Sequence, residues 1–341
     1  MAQKKYTLPR HTNLANQGPR IGAFLIDLAI FFAITLGLIY GCFKFVFSFK
    51  TTPLENSIKE ERISSHLFYE DENGKFDYFD KDSDNKTFVD ALGYFYTVYI
   101  PSKNVEKGEE LTTNWFNVNI LNVEGDGGAY FEYVKVGEEV DKNQIAKIKD
   151  DVSQADVNKF LQSEWLVANS TLNNLASFRK LTFQYYFYLS IEIVLSALIA
   201  STITYVIIPL AFKNGVTLGK KAFGLCLADI DGYSIKNYQL LMRVMPLDIV
   251  ILSLLIPIWK DIFVSMIILV VIFLVSFSLA MASPKKCSLH DFTGRTIVVN
   301  ARTSILFEST TEEEDYIAKE DSGVIREIVG EEPDLKYEKW T

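Results

Sequence analysis

Four long apolar runs dominate the pattern of hydrophobic and polar positions along the 341-residue chain. They cover residues 21–43, 183–212, 240–258 and 262–282, and the last of them contains no charged residue. Each run is close to the roughly 20 residues that a helix needs to cross a bilayer. The first is too long for the apolar part of a cleaved signal peptide. The pattern therefore predicts four transmembrane helices and excludes a single soluble globular domain.

The polar stretch between the first two runs, residues 51–178, has the size of a domain. Its aromatic and β-branched segments are typical of strands, and one longer segment has helical spacing. The pattern predicts strands at 95–100 and 116–121, a turn at 125–128, a return strand at 129–136, and a helix within 141–167. We expect a membrane α-helical fold class: a four-helix transmembrane bundle with an inserted extracellular α+β domain.

Charge is distributed unevenly along the chain, although its net value is only −9. Residues 51–178 carry 24 acids and 12 bases, and residues 308–341 carry 12 acids and 4 bases, which leaves +11 on the rest. The basic excess beside the apolar runs suits anionic lipid headgroups, so we expect the lipid bilayer as a partner. No soluble segment offers a basic face, which argues against a nucleic-acid partner.

Basic residues also predict the orientation, because loops rich in lysine and arginine stay in the cytoplasm. Four basic residues lie in each of the segments 1–20, 213–239 and 283–307. Four spans place all three segments, and an acidic tail at 308–341, on the cytoplasmic side. The prediction is a multi-pass protein of the plasma membrane with both termini in the cytoplasm and 51–178 outside. We expect weak order in the tail, with one short helix near 322–329.

Five ionisable residues lie within or at the mouth of the apolar runs, where charge is costly and is often functional. Arg20 and Asp27 are seven residues apart and share a helix face. Arg243 and Asp248 form a looser pair in the third run. We expect these four to converge, with Arg20–Asp248 or Arg243–Asp27 pairs. Glu192 in the second run is either a proton carrier or a protonated packing residue.

One acidic segment resembles a calcium-binding loop, since that cation prefers several carboxylate oxygens. Asp80, Asp82 and Asp84 have the spacing, but Asn85 replaces the glycine and Ala91 replaces the bidentate glutamate. A solvated acidic turn is the simpler interpretation. The three cysteines lie at 42, 226 and 287, outside this block, so no disulfide framework or cysteine metal cluster is possible there. We predict no metal and no cofactor.

The predicted cytoplasmic loop at 213–239 contains several glycines. Thr217 is placed to cap a brief helix, and a hairpin around Asp231 is plausible, with 295–300 as a third strand. The loop is either a structural collar beneath the bundle or a gate or docking site. His290 beside Asp291 suggests an acid–base pair, but Asp291 is better explained as a helix cap or as the partner of a lysine or arginine.

These residues resemble the RDD family of membrane proteins, which is named for an arginine at the start of its first helix and for two aspartates. The segment from Arg20 to Asp27 is similar to its opening motif. The family's second aspartate corresponds to either Asp291 or Asp248. The other residues that carry the resemblance are Thr217, Gly219, Lys220, Gly224, Asp231, Gly232, His290, Asp291 and Gly294. The resemblance covers about residues 12–50 and 181–301 and implies a membrane module, for which cation/proton exchange is among the proposed roles.

Two function classes remain open. In the first, the protein is a small transporter or cation/proton exchanger that uses Asp27, Asp248 and Glu192, and it needs a homo-oligomer because four helices are few for a pathway. In the second, it is a membrane-anchored interaction or scaffold protein whose outer domain binds an extracellular or envelope partner. An enzyme is the weakest class, since no nucleophile elbow, metal motif or phosphate loop is present.

Overall fold

The computed structural model describes residues 11–72, 74–79, 83–103, 110–212, 214–255 and 262–322. The described chain forms two compact units, one from residues up to Ser48 together with those from Phe187 onward, and one from Phe49–Tyr186. The first unit contains the apolar helices and the residues that resemble family motifs. The second contains the stretch predicted to be an inserted domain.

The elements of the described chain are mainly helical. The helices are α1 Gln17–Leu38, α2 Lys44–Ser64, α3 Asn85–Tyr94, α4 Ile100–Ser102, α5 Thr113–Asn119, α6 Gln154–Asn174, α7 Ala176–Thr202, α8 Ile208–Ala211, α9 Leu218–Ala222, α10 Asn237–Ser253, α11 Ile262–Ala282, α12 Leu289–Gly294 and α13 Thr310–Asp321. The strands are β1 Phe68–Glu70, β2 Phe76–Tyr78, β3 Phe131–Glu132, β4 Val134–Val136, β5 Glu139–Asp141, β6 Lys147–Ile148, β7 Leu225–Asp229 and β8 Thr296–Asn300. Turns of π-helix at Ile39–Phe43, Phe95–Tyr99 and Ile203–Ile207 join α1 to α2, α3 to α4 and α7 to α8.

Two continuous helices of the described chain are long and apolar enough to cross a membrane, Gln17–Ser64 and Ala176–Ala211. A shorter apolar helix covers Ile267–Ala282. The third predicted run forms the 17-residue α10, which contains Arg243 and Asp248. Length and composition thus support two of the four predicted spans directly.

The apolar helices of the first unit bury only narrow faces. On α1 the buried residues are Ala23, Asp27, Phe31 and Thr35, each four positions after the last. Phe31 packs in one cluster with residues of α7 and with Ile251 of α10. The rest of α1 presents large apolar side chains outward, a surface that a soluble protein rarely exposes on this scale.

Beneath these helices lies a small layer that we call the collar, made of α9, β7, α12, β8 and the segment around Leu14. Strands β7 and β8 pair antiparallel, with Leu227 opposite Val298. Leu14 bridges to the other edge of β8. The hairpin expected after β7 is reduced to one bridge between Ala228 and Ser234, and the third strand expected at 295–300 forms as β8 beside β7.

The second unit has its own aromatic core. The strands predicted at 95–100 and 116–121 are wrong, because both segments are helical. Their buried residues explain this. Phe95, Tyr96, Tyr99 and Ile100 are buried at i, i+1, i+4 and i+5, and 116, 117, 120 and 121 repeat that spacing. This is one face of a helix, not the alternation of a half-buried strand.

Two further expectations for local structure are changed. The helix predicted within 141–167 starts only at Gln154, and the residues before it contribute β5 and β6. The return strand at 129–136 is divided into β3 and β4. The helix expected near 322–329 lies outside the described residues, apart from its first position, Ser322. The described part of the tail forms α13, which Ser309 caps by accepting from the Glu312 N–H.

Candidate functional site

Asp27 is the buried acid that joins the apolar helix α1 to the collar. One carboxylate oxygen accepts from the Thr217 hydroxyl at 2.5 Å, and the other accepts from the Gly219 N–H at 2.8 Å. Asp27 is only 4 % exposed. Its carboxylate therefore satisfies a free donor at the start of α9, as an acidic side chain at a helix N-terminus does.

The Thr217 hydroxyl forms hydrogen bonds with both α1 and α9. While its hydroxyl donates to Asp27, the same oxygen accepts from the Lys220 N–H at 3.3 Å and so caps α9. Gly219 is required by close approach, since a Cβ there would collide with the backbone oxygen of Ala23 and with the Asp27 carboxylate. Contacts with Asp27 thus account for the presence of both Thr217 and Gly219 in the loop motif.

Asp291 is the common partner of the two arginines. Arg243 donates to one of its oxygens, and Arg20 lies 3.8 Å from the other. Arg243 also donates to the Thr296 hydroxyl at 2.5 Å, and Arg20 donates to the Lys286 carbonyl at 2.5 Å. The expected pairs of Arg20 with Asp248 and of Arg243 with Asp27 are therefore wrong. The reason is that α12 places Asp291 between Arg20 of α1 and Arg243 of α10.

Asp291 is held in place by its own helix. It is the third residue of α12, and it accepts from the backbone N–H and the hydroxyl of Ser288, the N-cap residue. Burial opposes its charge, but the Arg243 guanidinium and the Ser288 hydrogen bonds hold the pKa of Asp291 well below its usual range. Gly294 gives α12 room against Arg243 and Gln239 of α10.

Lys220 and His290 lie close to the two aspartates. Lys220 donates to the Gly215 carbonyl at 3.2 Å. Burial, together with the charge of Arg243, lowers the pKa of Lys220 to about 7. The His290 side chain keeps 42 % of its surface exposed, and its Nε2 lies 3.9 Å from Asp291. The contacts of Asp291 with arginine and Ser288 are shorter than that with His290.

Glu192 and Asp248 do not belong to this cluster. Glu192 is a residue of α7, and Asp248 of α10 contacts the same helix. Glu192 is 6 % exposed, and on the same helix Ser196 and Ser201 are completely buried. The Ser201 hydroxyl lies 2.6 Å from the Asp248 carboxylate of α10. Thr204, in the π-helical turn, is 1 % exposed, and its hydroxyl has no hydrogen-bond partner among the described residues.

The remaining motif residues shape the collar. Gly224 (φ +63°) and Gly232 (φ +94°) adopt left-handed conformations at the two ends of the β7 region. Asp231 is exposed in the turn that follows β7, and its N–H donates to Asp229. Their role in the described structure is to turn the chain.

Ser201, Ser288 and Gln239 are polar partners of the charged residues that a search for charge in the sequence does not single out. Gln239 is buried and donates to Asp229 at 2.7 Å.

No metal site is supported in the part of the chain that the structure describes, where no group of three or more histidine, cysteine or acidic side chains could hold an ion. Asp80 and Asp82 of the calcium-like loop lie outside the described residues. Asp84 is the N-cap of α3 and accepts from the N–H and the hydroxyl of Thr87. Asp84 therefore acts as a helix cap and not as a ligand in a calcium-binding loop.

Comparison with known proteins gives one match. Residues 165–295 match the model of the RDD family, which confirms the resemblance seen in the motif residues. The matched range includes Glu192, Thr217, Arg243 and Asp291, whereas α1 lies outside it. No match is found among curated proteins or among solved structures.

Proposed function

We propose that this chain crosses the plasma membrane four times, because residues 165–295 match the model of the RDD family, whose members are membrane-associated. Both termini and the collar face the cytoplasm, and residues 51–178 lie outside. The 21 residues of α11 extend about 32 Å, enough to cross the hydrocarbon core. On α10, the large apolar residues Leu241, Met245, Ile249 and Leu252 are exposed along one face, which suits contact with lipid.

We propose that this membrane module is a small proton-coupled cation transporter. The observation that carries the proposal is a set of buried polar side chains on α7, Glu192, Ser196 and Ser201, on a helix that is otherwise largely apolar. Intramembrane polar side chains of this kind are expensive and typically mark ion or proton pathways. Glu192 and Ser196 lie one turn apart on one side of α7, and Ser201 lies on the other side, where it contacts Asp248 of α10.

The π-helical turn Ile203–Ile207 supports the same location. Such turns disturb the regular backbone hydrogen bonding and occur frequently at functional sites. Thr204 in this turn keeps a buried hydroxyl without a partner among the described residues. Asp248, Ser201 and Thr204 therefore supply oxygen atoms suited to a proton or a small cation. Glu192 adds a buried carboxylate further along α7.

Asp27 and the Arg20–Asp291–Arg243 cluster have a different role in this proposal. Their charges are neutralised or hydrogen-bonded by residues of the collar, so they hold the helices in place and do not carry the ion. Four transmembrane helices are few to enclose a pathway for an ion. We therefore propose a homo-oligomer in which copies of the chain complete it.

Proton flux in proteoliposomes tests the transport proposal. With a pH gradient and an internal pH-sensitive dye, the native protein should dissipate the gradient when Na⁺ or K⁺ is added. Glu192→Gln and Asp248→Asn should each reduce this flux at least tenfold while the yield of folded protein stays within twofold. Asp231→Asn, which removes an exposed collar carboxylate, is the matched control and should keep full flux.

The outcomes separate the possibilities clearly. Full flux in both the Glu192 and Asp248 variants would show that the buried polar side chains of α7 and α10 are not the pathway. A native protein that moves no protons with either cation would overturn transport itself.

In that case the second candidate takes its place, a membrane-anchored interaction protein. The second unit favours it, since this unit has an extensive core of its own that includes Phe88, Phe116 and Phe131. The test is chemical crosslinking on intact cells, in which residues 51–178 should capture an envelope component that a chain lacking them does not.

A further inference from the structure

The second unit contains a groove of about 630 Å³ that the transport proposal does not use. Its wall is formed by the end of α2, by β1 and by the exposed side of α3. The side chains that matter here are His66, Tyr69, Glu70, Phe79, Asp90 and Tyr94. A groove of this size is within the usual range of small-ligand sites.

Aromatic rings form much of the wall of this groove. The His66 ring stacks on Tyr94 with centroids 3.6 Å apart and planes 11° apart. Tyr69 and Phe79 lie 5.3 Å apart, and Tyr69 remains 39 % exposed. His66 has φ +61°, a left-handed conformation at the end of α2 where glycine is usual. The chain thus places an imidazole ring in the groove at a position that ordinarily carries no side chain.

The charged groups in the groove are acidic. Asp90 and Tyr94 are four residues apart on α3, so they share a face. Asp90 is exposed and forms neither an ion pair nor a hydrogen bond with the described residues. Glu70 is already neutralised by Lys59 at 2.9 Å. Asp90 is therefore the carboxylate available to a ligand, within a segment of 24 acids and 12 bases.

We propose that this groove binds the ammonium group of an organic cation. The Asp90 carboxylate supplies the opposite charge, and the aromatic side chains supply ring faces, a combination that is typical of ammonium recognition. The ammonium group comes either from a free quaternary amine or from a lysine side chain. The proposal is independent of transport, since it uses no residue of the apolar helices.

Titration calorimetry on the full chain in detergent tests the proposal, with choline and Nα-acetyl-lysine amide as probes. At least one probe should bind, and 3,3-dimethyl-1-butanol, the neutral analogue of choline, should bind at least tenfold more weakly. Asp90→Asn and Tyr69→Ala should each weaken binding at least tenfold. Both positions are exposed, so circular dichroism and folded yield should be unchanged. Glu138→Gln removes an exposed acid of the same unit outside the groove and should have no effect.

The two probes also distinguish the sources. Tighter binding of the lysine probe supports a protein side chain as ligand, and tighter binding of choline supports a small amine. Absence of binding by both probes would overturn the proposal. So would equal binding of the neutral analogue, or equal losses in the Asp90 and Glu138 variants, because the latter would mean attraction to surface charge alone.

Discussion

Gly219 is the residue at which the collar comes closest to α1. A methyl group there would meet the Ala23 backbone oxygen and the Asp27 carboxylate, neither of which is a flexible side-chain end. Gly219→Ala should therefore force α9 away from α1 and destabilise the protein by about 1–3 kcal/mol or more, as overpacking does. Thermal unfolding in detergent, followed by size-exclusion chromatography, measures this.

Gly37→Ala is the matched control, because nothing lies within 4 Å of a Cβ at that position of α1. It should be neutral or stabilising by up to about 1 kcal/mol, the ordinary effect of replacing a helical glycine by alanine. If the two variants unfold at the same temperature, the close approach of α9 to α1 is not important for stability.

Asp27 permits a prediction that distinguishes a hydrogen-bond acceptor from a counter-ion. Asp27→Asn keeps one acceptor oxygen for the Gly219 N–H and should cost only about 1 kcal/mol. Asp27→Ala leaves both the Gly219 N–H and the Thr217 hydroxyl buried without an acceptor, at about 1–3 kcal/mol each. The Arg243–Asp27 pair expected from the sequence would instead make Asp27→Asn leave an arginine without its counter-ion. Equal destabilisation by both variants would support that counter-ion role, and the folded yield and melting temperature of the pair decide the matter.

At the scale of elements, Asp291 of α12 links α1 to α10 through its contacts with Arg20 and Arg243. Asp291→Asn should leave Arg20 and Arg243 buried without a negative partner and destabilise the protein by about 3–5 kcal/mol. Adding Arg243→Met to this variant should recover part of the loss, since it removes one uncompensated charge. Melting temperatures of the single and double variants measure the coupling. Purely additive effects would contradict a shared Asp291.

Helical spacing within aromatic segments shows how far a sequence pattern determines an element. At 95–100 the β-branched and aromatic composition indicates a strand. The buried pairs at i and i+1 with i+4 and i+5 indicate a helix, and the helix forms. N-cap residues supply the local signal, since Asp84 and Thr112 cap α3 and α5. Composition misleads here because aromatic residues fit either element once a core surrounds them.

At the scale of the whole molecule, the proposed topology predicts which side of the membrane each segment faces. Ser102→Cys, exposed in the second unit, should react with a membrane-impermeant maleimide on intact cells. Thr303→Cys, exposed on the collar, should react only after permeabilisation. Cys42 is exposed and must be replaced by serine in both variants.

Native Cys226 and Cys287 do not report sidedness, because both are buried within the collar and would be protected on either side of the membrane. Labelling of Thr303→Cys on intact cells would contradict a cytoplasmic collar. A protected Ser102→Cys would contradict an outer location for the second unit.

The sequence by itself determined the features that depend on neighbouring residues. The apolar runs, the capping threonine at 217 and the glycines that turn the collar follow from composition, spacing and backbone conformation. These features also carried the resemblance to the RDD family, which the match of residues 165–295 to the family model confirmed. These signals are readable because residues a few positions apart along the chain are also close in space.

Only the tertiary structure decided which charges meet. Asp291 is 271 residues from Arg20 and 48 from Arg243, and Thr217 is 190 residues from Asp27. Each of the buried carboxylates had several chemically acceptable partners, since any arginine or donor at the same depth would serve. The choice depended on how α9 and α12 pack beneath the membrane helices, and that packing is set by contacts far apart in sequence.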